Sequence, residues 1–474
     1  MADSKTVGQR KEEELISKTK NVWLKADEEY ARKIHDFAEV YKKFSDQSKT
    51  ERECVEFVEK MLLDRGFSDI NECTELKEGD KVYLVSRNKT VIAAVIGKKP
   101  LAEGVNLIGS HVDAPRLDLR PNPLYEDSEM ALFRTRYYGG IKTYHWVATP
   151  LALHGVIYNK NNEKIKISIG EDEGDPVFTI TDLLPHLARE QMAKKMSEGI
   201  TGEDLNVVVG SIPFQDDKVS EKIKLNVLNI LNEKYGIKEE DFVSAELEIV
   251  PTQKAVDIGL DRGLIGAYGH DDRICAYASL MGLFDMSETP DKTAVCYMSD
   301  KEEIGSVGNT GARGMFLQDF LAELLVKTGP YTDLGLRKCF VNTKVLSADV
   351  SSAVNPNFKG LHAANNAAFI GKGVVLMKYT GGNAKGGASD ANAEFVHKVR
   401  KLFNDNNVPW QAAELGKMDK GGGGTIAQFV ANLGSEVIDC GIPVIGMHST
   451  LEVASKADLY SAYLGYKAFY EKMD

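Results

Sequence analysis

TAVCYMSDKEEIGS, residues 293–306, places two adjacent glutamates, Glu302 and Glu303, just after an apolar run. The run from Thr293 to Met298 is typical of a buried strand. Two neighbouring carboxylates at the end of such a strand repel each other and are costly to remove from water. We therefore expect a cation at this end of the strand.

Other predicted strands and their following loops also end in potential metal ligands. These are His111 and Asp113 in GVNLIGSHVDAP, Asp271 and Asp272 in GHDDRICA, Asp349 in VLSADVSS and His448 in VIGMHST. In open α/β sheets, ligands bind beyond the carboxyl ends of the strands. We therefore expect these side chains to converge with the glutamate pair. Of the two adjacent aspartates, either could cap the following helix while the other points to the site.

The residue types favour a pair of divalent ions. Two such ions ~3.5 to 4 Å apart can bind a water oxygen and a substrate carbonyl together. Asp271, Glu302, Glu303 and Asp349 would bring four negative charges, which two dications cancel. One glutamate would then bind metal, and its neighbour would take the proton of the attacking water. Imidazole and carboxylate ligands without thiolate suit Zn, Mn or Co.

The order of apolar patterns predicts an α/β fold with a largely parallel central sheet. A helix is predicted over residues 51–66, three strands over 81–110, and alternating strands and helices after Pro251. Between them, hairpin-like stretches such as GVIYNKNNEKIKISIG (155–170) indicate a β-rich unit. The predicted domains are residues 1–114 and 255–474, forming one catalytic domain, and an inserted unit at 115–254.

Composition excludes other classes of function. The net charge of -12 and the pI near 5.4 argue against a nucleic-acid partner. No apolar run is long enough for a membrane span, and the polar start does not resemble a secretory signal, so we expect a cytoplasmic protein without a membrane partner. The six cysteines form no C-x-x-C pair. The glycine-rich stretches at 381–387 and 421–425 fit no nucleotide-binding motif.

Five ordered motifs resemble the M18 family of metallo-aminopeptidases, the aspartyl aminopeptidase group. They are SHVDAPRLDL, the aspartate pair of GHDDRICA, SDKEEIGS, SADVSSAVNPN and GMHSTLE. The resemblance implies that His111 and Asp349 hold one ion and that Glu303 and His448 hold the other, with Asp271 as the bridge. It also implies Glu302 as the general base and Asp113 as the acid that orients the imidazole of His111. Asp272 is left with the capping role.

The same resemblance implies a dinuclear zinc exopeptidase-like catalytic domain with an inserted β-rich oligomerisation domain. It further implies assembly into a homo-oligomer, a tetrahedral homododecamer, that acts on peptide substrates. TDLLPHLAREQ (181–191) resembles the stretch that reaches a neighbouring subunit's site, which would make His186 a substrate contact in trans. Relatives often have a second histidine four residues later, where this chain has Glu190.

The predicted reaction is hydrolysis of the N-terminal residue of peptides. The alternatives are a related dinuclear carboxypeptidase or deacylase, and an inactive self-assembling scaffold. GGNAKGGASDA resembles the substrate-facing loop and offers Lys385 between glycines. Neutral and acidic first residues both remain open as the preferred substrate.

Overall fold

A computed structural model describes residues 5–383 and 385–474 of the chain. Its helices are α1 Val7–Leu15, α2 Glu28–Asp46, α3 Glu51–Asp64, α4 Arg189–Ala193, α5 Met196–Gly199, α6 Lys222–Tyr235, α7 His270–Phe284, α8 Phe316–Thr328, α9 Asp333–Asn342, α10 Ala393–Asp405, α11 Ala427–Ala431 and α12 Lys456–Lys472. None of the described helices is long and apolar enough to cross a membrane.

The strands belong to a few separate sheets. They are β1 Ser68–Asp69, β2 Lys81–Ser86, β3 Thr90–Val95, β4 Asn106–His111, β5 Arg116–Asp127, β6 Met130–Tyr138, β7 Leu151–Tyr158, β8 Lys164–Ile169, β9 Asn206–Gly210, β10 Ala245–Pro251, β11 Val256–Ile258, β12 Leu264–Ala267, β13 Ala294–Ser299, β14 Lys344–Ser347, β15 Ser351–Ser352, β16 Val374–Met377, β17 Tyr379–Gly382, β18 Gly386–Asp390, β19 Trp410–Ala412, β20 Glu436–Gly441, β21 Pro443–Ile445 and β22 Glu452–Ser455.

The central sheet has the order β1-β2-β3-β13-β4-β14-β20-β16-β19. Its inner strands β13, β4, β14 and β20 are parallel neighbours, whereas β3 and β16 join them in antiparallel orientation. Every residue of β3, β4 and β13 is buried, because helices cover both faces of the sheet. The predicted α/β fold is confirmed, with a mixed sheet that is parallel at its centre.

Helices pack on both faces of this sheet. On one face, Ile108 of β4 shares a core with α3, α7, α10 and α12, including Val58 and Phe469. On the other face, Leu107 packs with Phe320 of α8 and with α9 and α11. Successive side chains of a strand point to opposite faces, so β4 contributes to both cores. The result is a three-layered arrangement that leaves the strand ends open for a site.

A second sheet, of order β8-β7-β10-β5-β6-β9, lies entirely between residues 116 and 251. All its pairings are antiparallel, and β7 and β8 form the hairpin expected at 155–170. Leu117, Phe133 and Ile249 belong to its own apolar core. A third sheet, β11-β12-β22-β21-β15, was not predicted. It places β12 and β22 beside the central sheet's strand ends.

Buried charges join α3 to the antiparallel sheet. Glu51 opens α3 and is fully buried; its carboxylate lies 3.2 Å from Arg116 Nη1 and 2.9 Å from Lys89 Nζ. Arg116 Nε lies 3.2 Å from the carboxylate of Glu248. We call Glu51, Lys89, Arg116 and Glu248 the junction cluster. Its buried carboxylates lie next to cations that the chain itself supplies.

Candidate metal centre

Adjacent parallel strands bring most of the predicted ligands to one edge of the central sheet. His111 is the last residue of β4, the glutamate pair follows β13, and Asp349 follows β14. β13 and β14 flank β4 in parallel register. Their carboxyl ends therefore lie side by side, as the sequence predicts.

Asp271 lies between the two histidines. Its Oδ1 is 3.1 Å from His111 Nε2, and its Oδ2 is 3.0 Å from His448 Nε2. His448 reaches this position from the turn between β21 and β22, where its backbone has a positive φ of 64° and its Nδ1 lies 2.8 Å from the Gly140 carbonyl oxygen. The two oxygens of the Asp271 carboxylate thus face two different imidazoles.

The other predicted ligands complete two groups around this carboxylate. Glu303 Oε1 is 3.3 Å from His448 Nε2, and His111 Nε2 lies 3.9 Å from Asp349 and 4.0 Å from Glu302. Two sets have ligand atoms that all lie within 4.8 Å of one another. The sets are His111 with Glu302 and Asp349, and His111 with Asp271 and Glu303. We call these six residues, including His448, the acidic centre.

Within the part of the chain that the structure describes, no lysine or arginine compensates the charge of the acidic centre. Among the described residues, no Lys or Arg lies within 4.0 Å of any of its four carboxylates. Burial and the nearby charge of Asp271 raise the pKa of Glu303 well above its usual value, and burial raises the pKa of Glu302 to about 7. Burial likewise raises the pKa of Asp349.

The pKa values of the two histidines are raised as well, but by nearby carboxylates and not by burial. Burial opposes their protonation, but contacts with Asp113 and Asp271 raise the pKa of His111, and contacts with Asp271 and Glu303 raise the pKa of His448 to about 10. Glu303 Oε1 is buried and, among the described residues, forms no hydrogen bond, although His448 Nε2 lies 3.3 Å away. Divalent ions bound at these carboxylates and histidines would displace the protons that the raised pKa values favour. The residues present therefore fit divalent metal ions.

Asp113 contacts the glutamate pair and Tyr138 in addition to its predicted partner, His111. The Nδ1 atom of His111 lies 3.0 Å from the Asp113 carbonyl and 3.3 Å from its carboxylate. The same carboxylate accepts the backbone N–H groups of Glu302 and Glu303 at 3.1 and 3.2 Å, and the Tyr138 hydroxyl at 2.8 Å. Asp113 therefore fixes the imidazole on one side and the glutamate turn on the other.

Glu452 is a site residue that sequence reasoning missed. It is buried at the start of β22, where it accepts the N–H of His448 at 2.6 Å and that of Asp271 at 3.0 Å. One carboxylate thus holds the backbones of two predicted ligands. A glutamate beginning the otherwise apolar strand LEVAS is the signal that could have identified it.

Asp272 does not have the predicted capping role. Gly269 occupies the N-cap position of α7 without a side-chain cap, and Asp271 and Asp272 have non-helical backbone angles joined by a cis peptide bond. The fully buried Asp272 carboxylate instead accepts the backbone N–H of His111 at 3.2 Å. The prediction was wrong because this side chain turns inward to the end of β4.

A cavity of about 710 Å³ opens beside the acidic centre. Glu302 and Glu303 line it on one side, and Gly386, Gly387 and Thr425 contribute to its wall elsewhere. Pockets of this size hold small molecules or the end of a peptide. The cavity gives a substrate access to the glutamate pair.

His186 is not brought to the acidic centre within this chain. It is exposed in the segment that precedes α4. In the part of the chain that the structure describes, its side chain forms no hydrogen bond or ion pair with a residue of the acidic centre. Its predicted contact with substrate in trans remains a prediction.

Comparisons with known proteins identify the family to which this chain is similar. The family model described as "Aminopeptidase I zinc metalloprotease (M18)" matches residues 44–470. A "Probable M18 family aminopeptidase 1" from Borrelia garinii subsp. bavariensis is 50% identical and covers 96% of this chain and 100% of its own. The Thermotoga maritima M18 aminopeptidase structure has a TM-score of 0.93 and 46% identity, over 96% of this chain and 100% of that one.

A more distant structure, the mApe1 dodecamer of S. cerevisiae, shares the fold at a TM-score of 0.74 and 23% identity, over 93% of this chain and 97% of that one. The family and the nearer relatives are aminopeptidases and zinc metalloproteases, and hence hydrolases. They support the metal-dependent aminopeptidase interpretation over the carboxypeptidase, deacylase and scaffold alternatives. The chain belongs to the M18 family of zinc metallo-aminopeptidases.

Proposed function

We propose that this aminopeptidase releases the N-terminal residue of peptides at a centre of two divalent ions, with Glu302 as the general base. The observation on which the proposal depends is the position of Asp271, whose two oxygens face two different histidines at 3.0 and 3.1 Å. A carboxylate placed in this way suits a bridge between two ions. His111 and Asp349 would hold one ion, and Glu303 and His448 would hold the other.

Zinc is the expected metal, because the family description names it and because imidazole and carboxylate ligands suit it. Cobalt and manganese remain alternatives with the same ligand types. When bound, the ions supply positive charge that acidifies water and stabilises the oxyanion formed from the scissile carbonyl. Two dications would also cancel the four carboxylate charges of the acidic centre.

In this proposal Glu302 moves the proton. Its side chain lines the cavity, and its backbone N–H is fixed by Asp113 at 3.1 Å. As water attacks the scissile carbonyl carbon, Glu302 takes one of its protons. When the carbon–nitrogen bond breaks, Glu302 gives that proton to the leaving amine. The products are a free amino acid and a peptide shortened by one residue.

The test is reconstitution of chelated protein with zinc, cobalt or manganese, followed by aminoacyl reporter substrates with free and with blocked amines. We expect turnover to rise until two ions are bound per chain, and only for substrates with a free amine. Saturation at one ion would overturn the two-ion centre. Equal cleavage of blocked substrates would overturn the assignment of an N-terminal exopeptidase.

We also propose that residues 115–254 form an inserted oligomerisation domain, and that 1–114 and 255–474 form the catalytic domain. The antiparallel sheet with its own core supports the division. The segment around His186 exposes several large apolar side chains, which a neighbouring subunit would cover. They are Leu183, Leu184, Leu187, Met192 and Met196.

On this basis the assembly is a homo-oligomer, with the tetrahedral dodecamer as the specific expectation and the yeast structure as its support. Native mass spectrometry should then show twelve copies of the 52.2 kDa chain. His186→Ala should raise KM without changing that mass if His186 meets substrate bound to a neighbour. A monomeric mass would contradict both expectations. The cytoplasmic location stays a prediction.

A further inference from the structure

Two glycine-rich segments form one wall of the cavity beside the acidic centre. The first is the pair of strands β17 and β18, Tyr379–Gly382 and Gly386–Asp390, which we call the hairpin, and the second is residues 421–425. Gly386 and Gly387 of the first segment, and Gly424 and Thr425 of the second, line the cavity that contains Glu302 and Glu303. A substrate held against the glutamates would therefore contact this wall.

The two segments touch through their backbones. The Gly381 N–H donates to the Gly423 carbonyl at 2.9 Å. A Cβ atom on Gly422 would lie 2.3 Å from the Gly381 carbonyl oxygen, which no side chain tolerates. Glycine backbones are conformationally free, so a contact this close persists only if a further interaction holds the two segments together.

A single buried carboxylate connects both segments. Asp439 lies in β20, is 1% exposed, and accepts the Thr425 hydroxyl on Oδ1 at 2.6 Å. Its Oδ2 lies 3.3 Å from the Thr380 hydroxyl, which donates to it from the start of the hairpin. The Asp439 carboxylate thus accepts a hydrogen bond from one segment on each of its two oxygens.

The contact with Thr425 depends on an acceptor at this position. The Thr425 hydroxyl accepts the Ala427 N–H at 3.1 Å and the Ser347 hydroxyl at 3.2 Å, so its proton is left for Asp439. Among the described residues, no Lys or Arg pairs with Asp439, and burial raises its pKa to about 6 despite the hydroxyl donors. A buried carboxylate without a cation is unfavourable for folding unless hydrogen bonds compensate it, and for Asp439 those bonds come from the two glycine-rich segments.

We propose that Asp439 is a positioning residue that clamps the two glycine-rich segments together and so sets the wall against which the first residue of the peptide binds. The inference rests on the proposed function, because it assigns the cavity to substrate. Loss of the clamp leaves the acidic centre and Glu302 in place, so it weakens substrate binding and leaves the chemical step unchanged.

The test compares Asp439→Leu, Asp439→Asn and Thr380→Val in the full metal-loaded protein. Asp439→Leu removes both contacts, and we expect KM to rise about tenfold with kcat and bound metal unchanged. Asp439→Asn keeps an acceptor for Thr425, and its amide can donate to the Thr380 hydroxyl, so KM should return close to the wild-type value. Thr380→Val removes one contact and should raise KM by about threefold.

Hydrogen exchange gives a second measurement that does not need activity. Asp439→Leu should speed exchange in both peptides, 379–390 and 421–427, whereas Thr380→Val should speed it in the hairpin only. Asp458→Leu is the matched control, because Asp458 is another buried aspartate that holds a loop, through the N–H groups of Gly371 and Gly373, away from the cavity. It should lower the melting temperature and leave KM unchanged.

The outcomes separate the clamp from the proposed function. A fall in kcat with unchanged KM, an unchanged KM in Thr380→Val, or faster exchange in one segment alone for Asp439→Leu would overturn the clamp. If Asp439→Leu does not fold, Thr380→Val and Asp439→Asn still decide the question. A metal-loaded wild-type protein without aminopeptidase turnover would instead overturn the proposed function, while hydrogen exchange would still test the clamp.

Discussion

Two groups of buried carboxylates in this molecule are compensated in different ways. In the junction cluster, Glu51 lies within 3.2 Å of Arg116 and Lys89, which lower its pKa well below the usual value despite complete burial. Glu248 shares Arg116 at 3.2 Å, but burial outweighs that cation and raises the pKa of Glu248. In the acidic centre, the described residues offer no lysine or arginine, and burial raises the pKa of Glu303 and Asp349. The chain supplies its own cations beside the acids of the junction cluster, whereas its described residues supply none beside the carboxylates where we propose that ions bind.

The largest effect is expected when a predicted metal ligand is removed from the acidic centre. His448→Ala should lower bound metal from two ions to one per chain, because His448 Nε2 contacts Asp271 and Glu303 within 3.3 Å. Turnover should fall below detection. Metal analysis of the purified variant measures the loss. His397→Ala, on the exposed face of α10, is the control and should keep both ions; unchanged metal in His448→Ala would contradict the ligand set.

The next effect separates the two adjacent glutamates. Glu302→Gln should keep both ions and the fold but lower kcat by about 10²- to 10⁴-fold, because an amide cannot take the proton of the attacking water. Glu303→Gln is the matched comparison, and it should lose bound metal together with turnover. Steady-state kinetics with metal analysis distinguish them. Substantial turnover in Glu302→Gln would remove the assignment of the base.

A third change tests the junction cluster. Arg116→Met should lower the free energy of unfolding by about 3–5 kcal/mol, because it leaves Glu51 and Glu248 buried without their shared cation. Arg120→Met is the control, since Arg120 pairs with the exposed Glu203 and should change stability by less than about 1 kcal/mol. Denaturant unfolding measures both variants.

Bound metal should not change in Arg116→Met, which would show that the junction cluster acts on stability alone. A variant with wild-type stability would indicate that Glu51 and Glu248 become protonated at little cost. Loss of metal would indicate coupling to the acidic centre through Tyr138, whose ring lies 3.9 Å from the Arg116 guanidinium and whose hydroxyl donates to Asp113.

The sequence predicted the convergence of these side chains because His111, Glu302, Glu303 and Asp349 end or follow apolar strands. The runs before His111, Glu302 and Asp349 are buried on both faces, so their ends are readable from composition alone. Parallel neighbours then bring those ends together without further information. The α/β class was predictable for the same reason.

The contacts that support the site were harder to predict from the sequence. Glu452 and Asp272 act on backbone N–H groups of residues distant in sequence or across a turn, and no periodicity indicates such contacts. The third sheet was missed because β11, β15 and β21 are only two or three residues long. The junction cluster joins Glu51 to Arg116 and Glu248, so its pairing becomes visible only once the antiparallel sheet is placed against α3.

The smallest expected effect concerns pH at the junction between α3 and the antiparallel sheet. His154 is buried there between Glu53 at 2.8 Å and Glu171 at 3.2 Å, and Lys49 lies 3.0 Å from Glu171. Burial opposes protonation, but the two glutamates raise the pKa of His154 to about 9. A raised pKa means that the protonated histidine stabilises the fold fully below its unfolded pKa of about 6.5, and that this stabilisation is lost as pH rises through about 9.

His154→Gln should therefore remove a stability difference on the order of 1–3 kcal/mol between pH 6.5 and pH 9. Unfolding of both proteins across this range, with metal at saturation, measures the difference, and His397→Gln is the control. The acidic centre should show the opposite trend, because ions displace protons from His111 and His448 and so bind more tightly as pH rises. A wild-type stability that stays constant up to pH 9 would mean that His154 is neutral. The contrast between this junction, where the chain compensates its own buried acids, and the acidic centre would then not hold for Glu53 and Glu171.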